Sequence, residues 1–221
     1  MPFTRPVVAV VFDMDGLLVD TERVYFNALL KAARAVDLVM TEDFVRSMIG
    51  VPGKECDAMI AAHYGAGFSP EPLKAAYRSF VAAALEREIP FRPGAREILA
   101  YLTEEGVPHA LATSARRAAV DDYLGRLGLT RQFDAIVSRE DVQNPKPAPD
   151  PFLAAAARLG VAPAYCLALE DSHHGITAAH AAGMMAIMVP DMLAVTDAIR
   201  AKCIAVADDL HAVAALLIAA R

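Results

Sequence analysis

A doubly wound parallel α/β sheet with an inserted helical cap domain is the fold this sequence predicts, on three observations. Short β-branched apolar runs recur along the chain, segments of helix length separate them, and one long interval near the start shows helical stripes but no such run. Val7 to Phe12 (VVAVVF) is too short for an independent helix and suits a strand covered on both faces. His109 to Thr113, Phe133 to Ser138, Cys166 to Glu170 and Met184 to Val189 repeat the pattern, and Cys203 to Ala207 adds an edge. The segments between read as helices: Ala115 to Leu127 follows the second strand, and a later one opens at Asp150 as cap with Pro151 in its first turn. That helix carries the stripe Phe152, Ala155, Ala156, Leu159 and ends at Gly160. Ligands of such sheets gather at the carboxyl ends of the strands.

The interval 20–88 reads as the helical cap, with stripes such as Phe26, Leu29, Leu30 and Ala33, which leaves 1–19 and 89–221 as the α/β catalytic core. Turns at Asp15-Gly16 and from Pro90 to Gly94 are the expected hinges.

Composition removes several classes of function. The 221 residues are 56% hydrophobic and 22% charged, too apolar for disorder and sufficient for a large core. The net charge is −6, and no basic run exceeds Arg116-Arg117, so neither a nucleic-acid nor a membrane partner is expected. Cys56, Cys166 and Cys203 are too scattered for a metal knuckle or a disulfide framework and read as buried free thiols. No apolar stretch is long enough to span a bilayer, and Asp13 and Asp15 interrupt any signal-peptide pattern, so a cytoplasmic protein is expected.

Chemistry concentrates at four predicted strand ends. Asp13 and Asp15 close the first strand; two-residue spacing on an extended backbone turns both carboxylates to one side, one to attack or bind metal and one to handle a proton. Thr113 and Ser114 end the second, where a hydroxyl and the amides of the next helix could meet a phosphate. Lys146 stands among Pro145, Pro147 and Pro149, which restrict its backbone and suggest a held cation beside the carboxylates. Glu170 and Asp171 end the fourth strand, where buried acids call for a hard cation; oxygen donors without a His/Cys set favour Mg²⁺, and Gly175 would let the next helix approach closely. His173 and His174, as sequence neighbours, read as loop or supporting residues.

In this order the stations resemble the four-motif pattern of the haloacid dehalogenase superfamily: DMDGL from Asp13, the strand-end Thr113, Lys146 within KPAPD, and Glu170-Asp171 within LEDSHHG. The resemblance covers nearly the whole chain, cap included, and implies a Rossmann-like core. It implies Asp13 as the nucleophile forming an aspartyl-phosphate, Asp15 as acid and base, Thr113, Ser114 and Lys146 as holders of the phosphoryl oxygens, and Mg²⁺ as cofactor. The metal would bind the Asp13 carboxylate, the Asp15 backbone carbonyl and Asp171, with Glu170 a direct or supporting ligand.

Within the superfamily, Asp15 and the acidic fourth motif point to phosphoryl chemistry instead of C–halogen cleavage. DMDGLLVDTE with LEDSHHGITAAHAAGM is most similar to the β-phosphoglucomutase-like branch, which holds sugar-phosphate mutases and small-metabolite phosphatases. Where the mutases carry a cap histidine, this chain has Tyr25, and the basic cap positions around Gly50 read Ile49 and Gly53, with Lys54 one residue away. A phosphatase acting on a small phosphorylated metabolite, as a monomer or weak homodimer, is therefore expected, with Tyr25, Ile49, Gly50 and Lys54 as candidates for specificity. A phosphomutase, a phosphonate hydrolase using Lys54 as a Schiff-base amine, and a non-catalytic binding protein are the alternatives. Lys54, Arg46, Lys74 and Arg78 suit an anionic substrate and equally suit a solvated helix surface.

Overall fold

The computed structural model describes residues 3–51, 53–65 and 67–220. Chain contacts divide it into two compact units, residues 1–20 with 90–221 and residues 21–89. Each boundary falls one residue later than the sequence suggested. Asp20 still belongs to the first unit, where its N–H donates to Pro90 O at 2.8 Å.

In the first unit, β1 (Ala9–Phe12), β2 (His109–Ala112), β3 (Ala135–Val137), β4 (Cys166–Glu170), β5 (Met185–Met188) and β6 (Ala205–Val206) form one sheet in the order β3-β2-β1-β4-β5-β6. Every pairing is parallel, and all residues of β1, β2, β4 and β5 are buried, as runs apolar on both faces require. The order reverses at β1 and β4, so the crevice beyond their carboxyl ends is the place for a ligand. One packed face joins Val11, Ala112 and Ala168 of the sheet to Phe152, Ala155 and Ala156 of α7 (Asp150–Leu159) and to Ile176 and Ala179 of α8 (His173–Ala181). The small alanines let helix and sheet approach closely, while Phe152 fills the larger gap.

Strands are shorter than the apolar runs. The chain is already extended at Val8, whose N–H donates to Tyr165 O at 2.9 Å before ladder pairing begins at Ala9. After α5 (Ala95–Glu104) and β2, the helix α6 (Arg117–Leu127) starts two residues later than predicted, because Thr113 Oγ1 accepts the Ala115 N–H at 3.0 Å and turns the chain first. Asp150 is not the cap of α7; that position belongs to Pro149. Its carboxylate instead accepts from the N–H and side-chain amide of Asn144, at 3.3 and 3.0 Å, and so closes the loop that carries Lys146.

The second unit is helical: α1 (Thr21–Ala35), α2 (Glu42–Arg46), α3 (Gly53–Tyr64) and α4 (Pro70–Arg87). Its own core holds Leu30, Ala33, Val45, Met48, Ile60 and Leu73, with Phe26 and Leu29 packed against it. Lys54 stands exposed in the first turn of α3, whereas Arg46 pairs with Glu42 at 3.6 Å and Lys74 with Asp57 at 2.6 Å. Tyr25 is half-buried on α1, and Ile49 and Gly50 occupy the turn after α2, with Gly50 at φ 73°.

No helix among the described residues is long and apolar enough to cross a membrane. All three cysteines are free, but only Cys166 is fully buried; Cys56 and Cys203 are half-buried. Burial pushes the Cys166 thiol up to about 11. The native protein is accordingly expected to leave Cys166 unalkylated by iodoacetamide at pH 8 and to react there only when denaturant is added, since the thiolate is the attacking species. Mass spectrometry of the labelled peptides checks this.

Candidate active site

The crevice beyond β1 and β4 is built by backbone pairing first. Asp13 N–H donates to Leu169 O at 3.1 Å, extending the β1–β4 ladder by one residue, and Thr113 N–H donates to Val137 O at 2.9 Å. The chain after Asp13 then folds into a tight loop: Leu18 and Val19 N–H both donate to Met14 O, and Gly16 N–H donates to Val19 O at 2.8 Å. Gly16 sits at φ 83°, and a Cβ there would stand 2.2 Å from Asp171 Oδ2. Only glycine satisfies both the left-handed backbone and that contact. The loop that carries Asp15 and the Asp171 carboxylate just beyond β4 are thus in close contact.

Lys146 enters from the loop before α7, where its peptide to Pro147 is cis. Its ammonium donates to Asp13 Oδ1 at 2.5 Å, to Glu170 Oε1 at 2.6 Å and to Ala112 O at 2.8 Å. A lysine has three N–H donors, so all three are used. The Phe152 ring lies 5.0 Å from Nζ and closes the remaining side. Glu170 is fully buried, and its second oxygen, Oε2, accepts from Ser172 N–H at 3.0 Å and Ser172 Oγ at 2.9 Å. Ser172 Oγ in turn caps α8 by accepting the Gly175 N–H at 2.9 Å.

Gly175 does what its position suggested: a Cβ there would lie 1.8 Å from the Glu170 carboxyl carbon. Gly175→Ala is expected to cost about 1–3 kcal/mol of stability through overpacking and to loosen the Glu170–Lys146 contact. Thermal unfolding of the variant checks the first effect.

The electrostatics follow from one ammonium among several acids. Asp13 and Asp171 are 7% and 8% exposed. Burial pushes the Asp13 carboxyl upward, and its Lys146 contact only partly opposes this, with the Glu170 and Asp15 charges adding to the upward push. Burial works against the Lys146 charge too, but the two carboxylates override it and hold the ammonium well above the usual lysine range. One ammonium thus stands among several acids, and it does not by itself offset the burial of Asp13.

That imbalance and the donor chemistry bear on a metal. No three His, Cys, Asp or Glu side chains among the described residues stand together as a ready cage. Mg²⁺ asks for less: one or two carboxylates, a carbonyl, waters and substrate phosphate suffice. Asp13, the Asp15 carbonyl and Asp171 at the Gly16 contact match that oxygen-only set. Glu170 differs, because both its oxygens already accept hydrogen bonds.

Thr113 is buried at the end of β2, and its Oγ1 accepts from Ala115, which leaves its O–H able to donate. Ser114 is exposed in the bend before α6 and does not cap that helix, which starts at Arg116 as cap; the Arg117 N–H is taken by Glu140 at 2.9 Å. His173 and His174 lie in the first turn of α8, not in a loop, and the His173 ring contacts Ala194 O at 2.9 Å. The Ala112 carbonyl and Ser172 were not singled out from sequence. A backbone acceptor leaves no sequence signal, whereas Ser172 is visible as a cap three residues before Gly175.

Residues 10–189 match the family model of haloacid dehalogenase-like hydrolases. The chain is similar to a phosphorylated carbohydrates phosphatase of Thermotoga maritima, 35% identical over 80% of this chain and 82% of that protein. It is likewise similar to hexitol phosphatase B of Escherichia coli, 33% identical over 86% of each. Among solved structures, a haloacid dehalogenase family hydrolase from Deinococcus radiodurans with bound phosphate and sodium superposes with a TM-score of 0.83, 26% identity and 97% of both chains covered. With its parallel sheet, its carboxylates gathered where the strand order reverses, and that match over most of its length, the chain belongs to the haloacid dehalogenase-like hydrolases.

Proposed function

We propose that this hydrolase is a Mg²⁺-dependent phosphatase of a small phosphorylated metabolite, of the sugar-phosphate kind, working through an aspartyl-phosphate on Asp13. The observation that carries the proposal is the buried contact of Lys146 with Asp13 at 2.5 Å. It puts a carboxylate nucleophile and a fixed cation at one point, which is the positioning and charge neutralisation that phosphoryl transfer needs.

The Asp13 carboxylate attacks phosphorus and the ester oxygen leaves, taking its proton from Asp15. Asp15, now ionised, removes a proton from water; that water attacks the phosphorus of the aspartyl-phosphate, the acyl–phosphate bond breaks, and phosphate and free Asp13 result. Thr113, Ser114 and Lys146 are the proposed holders of the phosphoryl oxygens, for which Lys146 gives up one of the three acceptors that its N–H groups already reach. Asp13, the Asp15 carbonyl and Asp171 would hold Mg²⁺, which would supply further neutralisation of the phosphoryl charge. Glu170 acts as a supporting residue that holds Lys146. Tyr25, Ile49, Gly50 and Lys54 are the cap positions proposed to choose the leaving group.

Relatives that are phosphatases of phosphorylated carbohydrates and hexitol phosphates support the substrate class. Tyr25 in the mutase histidine position favours hydrolysis over transfer to a second hydroxyl. The test is phosphate release from a panel of sugar phosphates, hexitol phosphates, phosphoglycolate, nucleotides and pyridoxal phosphate with Mg²⁺, and isomerisation of β-glucose 1-phosphate measured alongside. Metal-dependent release is the expected result. Isomerisation with little release would replace this reading by a phosphomutase. Asp15→Asn is expected to cut turnover by about 10²–10⁴, the usual contribution of a general acid–base; undiminished hydrolysis would remove that role.

A further inference from the structure

The two chain segments that bound the helical unit are tied to each other and to the catalytic loop. Val19 and Phe91 form an antiparallel bridge, and Arg92 N–H donates to Leu18 O at 2.9 Å. Val19 also bridges Asp15, in parallel, and accepts the Gly16 N–H. A continuous set of backbone hydrogen bonds therefore runs from Asp15 to Arg92.

Arg92 carries this connection across the sheet. Its side chain is 9% exposed, and its Nη1 donates to Asp191 Oδ1 at 2.7 Å, while Nη2 donates to Pro190 O at 3.3 Å. The Asp191 side chain is fully buried. Pro190 and Asp191 follow Val189, the first residue after β5, which donates its N–H to Glu170 O at 2.8 Å. One arginine thus joins the segment anchoring Asp15 to the segment anchoring Glu170 and Asp171.

We infer that the buried Arg92–Asp191 pair is a positioning device, which sets the spacing between the Asp15 loop and the Asp171 strand end and so tunes both metal capture and proton transfer. The inference rests on the proposed roles of Asp13, Asp15 and Asp171. A buried ion pair is a poor source of stability, because desolvation offsets the Coulomb attraction. Here Arg92 Nε is also buried without a hydrogen-bond partner, which weakens the stability argument further. A rigid planar guanidinium held at two acceptors does fix a distance, and lysine, with a single nitrogen, reproduces that fork poorly.

Arg92→Met, Arg92→Lys and Asp191→Asn are the informative variants. Two quantities are measured on each: hydrolysis of p-nitrophenyl phosphate against Mg²⁺ concentration, well below the melting temperature, and the rise in melting temperature that Mg²⁺ alone produces. Arg92→Met and Asp191→Asn are expected to lower kcat by roughly tenfold or more, as small misplacements of reacting groups do. They should also raise the half-saturating Mg²⁺ concentration and shrink the Mg²⁺-induced melting shift, with Arg92→Lys in between. Variants that merely melt lower, with kcat and Mg²⁺ half-saturation unchanged, would show the pair to be a structural staple and overturn the inference.

If the wild type hydrolysed no phosphomonoester, the phosphatase reading would fall, and the melting shift alone would decide. A shift present in the wild type and reduced in the variants upholds the positioning role; an unchanged or absent shift overturns it. Should Arg92→Met not fold, Asp191→Asn and Arg92→Lys carry the same comparison.

Discussion

Asp13→Asn should abolish phosphate release, lowering kcat by about 10⁴-fold or more, the scale of loss when a covalent nucleophile is removed. The amide keeps the shape of the carboxylate and can still accept from Lys146, so the fold should survive. Undiminished turnover would overturn the aspartyl-phosphate mechanism. The same variant makes a second, less obvious prediction about stability. Burial raises the native Asp13 carboxyl above its unfolded value. An acid shifted that way favours folding below its unfolded pKa and loses that contribution as pH rises towards the native value. Metal-free wild type should therefore lose stability as pH rises above the ordinary carboxylate range, about 4, while Asp13→Asn should lack that portion of the loss. Melting curves in EDTA from pH 4 to pH 9 check the sign; a parallel pair of pH profiles would show that Lys146 keeps Asp13 fully ionised throughout.

Lys146→Met has the second largest expected effect, on activity and stability together. The ammonium is held by Asp13, Glu170 and the Ala112 carbonyl, so its removal leaves two buried carboxylates facing one another. Breaking a buried pair by deleting one partner typically costs about 3–5 kcal/mol. Turnover should fall by about 10³-fold, since a cation preorganised beside the transferring group is lost. Adding Glu170→Gln removes one of the stranded charges. The double variant should recover part of the stability and none of the activity. Equal melting temperatures for the single and double variants would mean that Glu170 is not held by Lys146 in solution. Chemical denaturation and phosphate release, measured on the same preparations, separate the two effects.

Much of the candidate site was legible because the residues that the fold brings together announce themselves locally. Asp13 and Asp15 follow an apolar strand, Lys146 lies between prolines, and Glu170-Asp171 interrupts a run otherwise fit for a buried strand. Gly175 was legible as a close approach, and the structure shows what it approaches. The boundaries were less legible, since side chains compete with the backbone there. Thr113 takes an amide that the helix after β2 was expected to use, and Asp150 turns back to Asn144 instead of capping α7.

The sequence by itself determined the fold class, the strand runs and the helical segments between them. Each depends on residue types within a few positions of one another. Only the tertiary structure decided which groups meet. Lys146 and Asp13 are 133 residues apart and become partners because β1 pairs with β2 on one side and β4 on the other. The same pairing separates two adjacent acids: Glu170 points to Lys146 and Ser172, while Asp171 lies against Gly16. Successive residues leave an extended chain on opposite sides, so neighbours with one chemistry acquire different surroundings once the sheet is assembled.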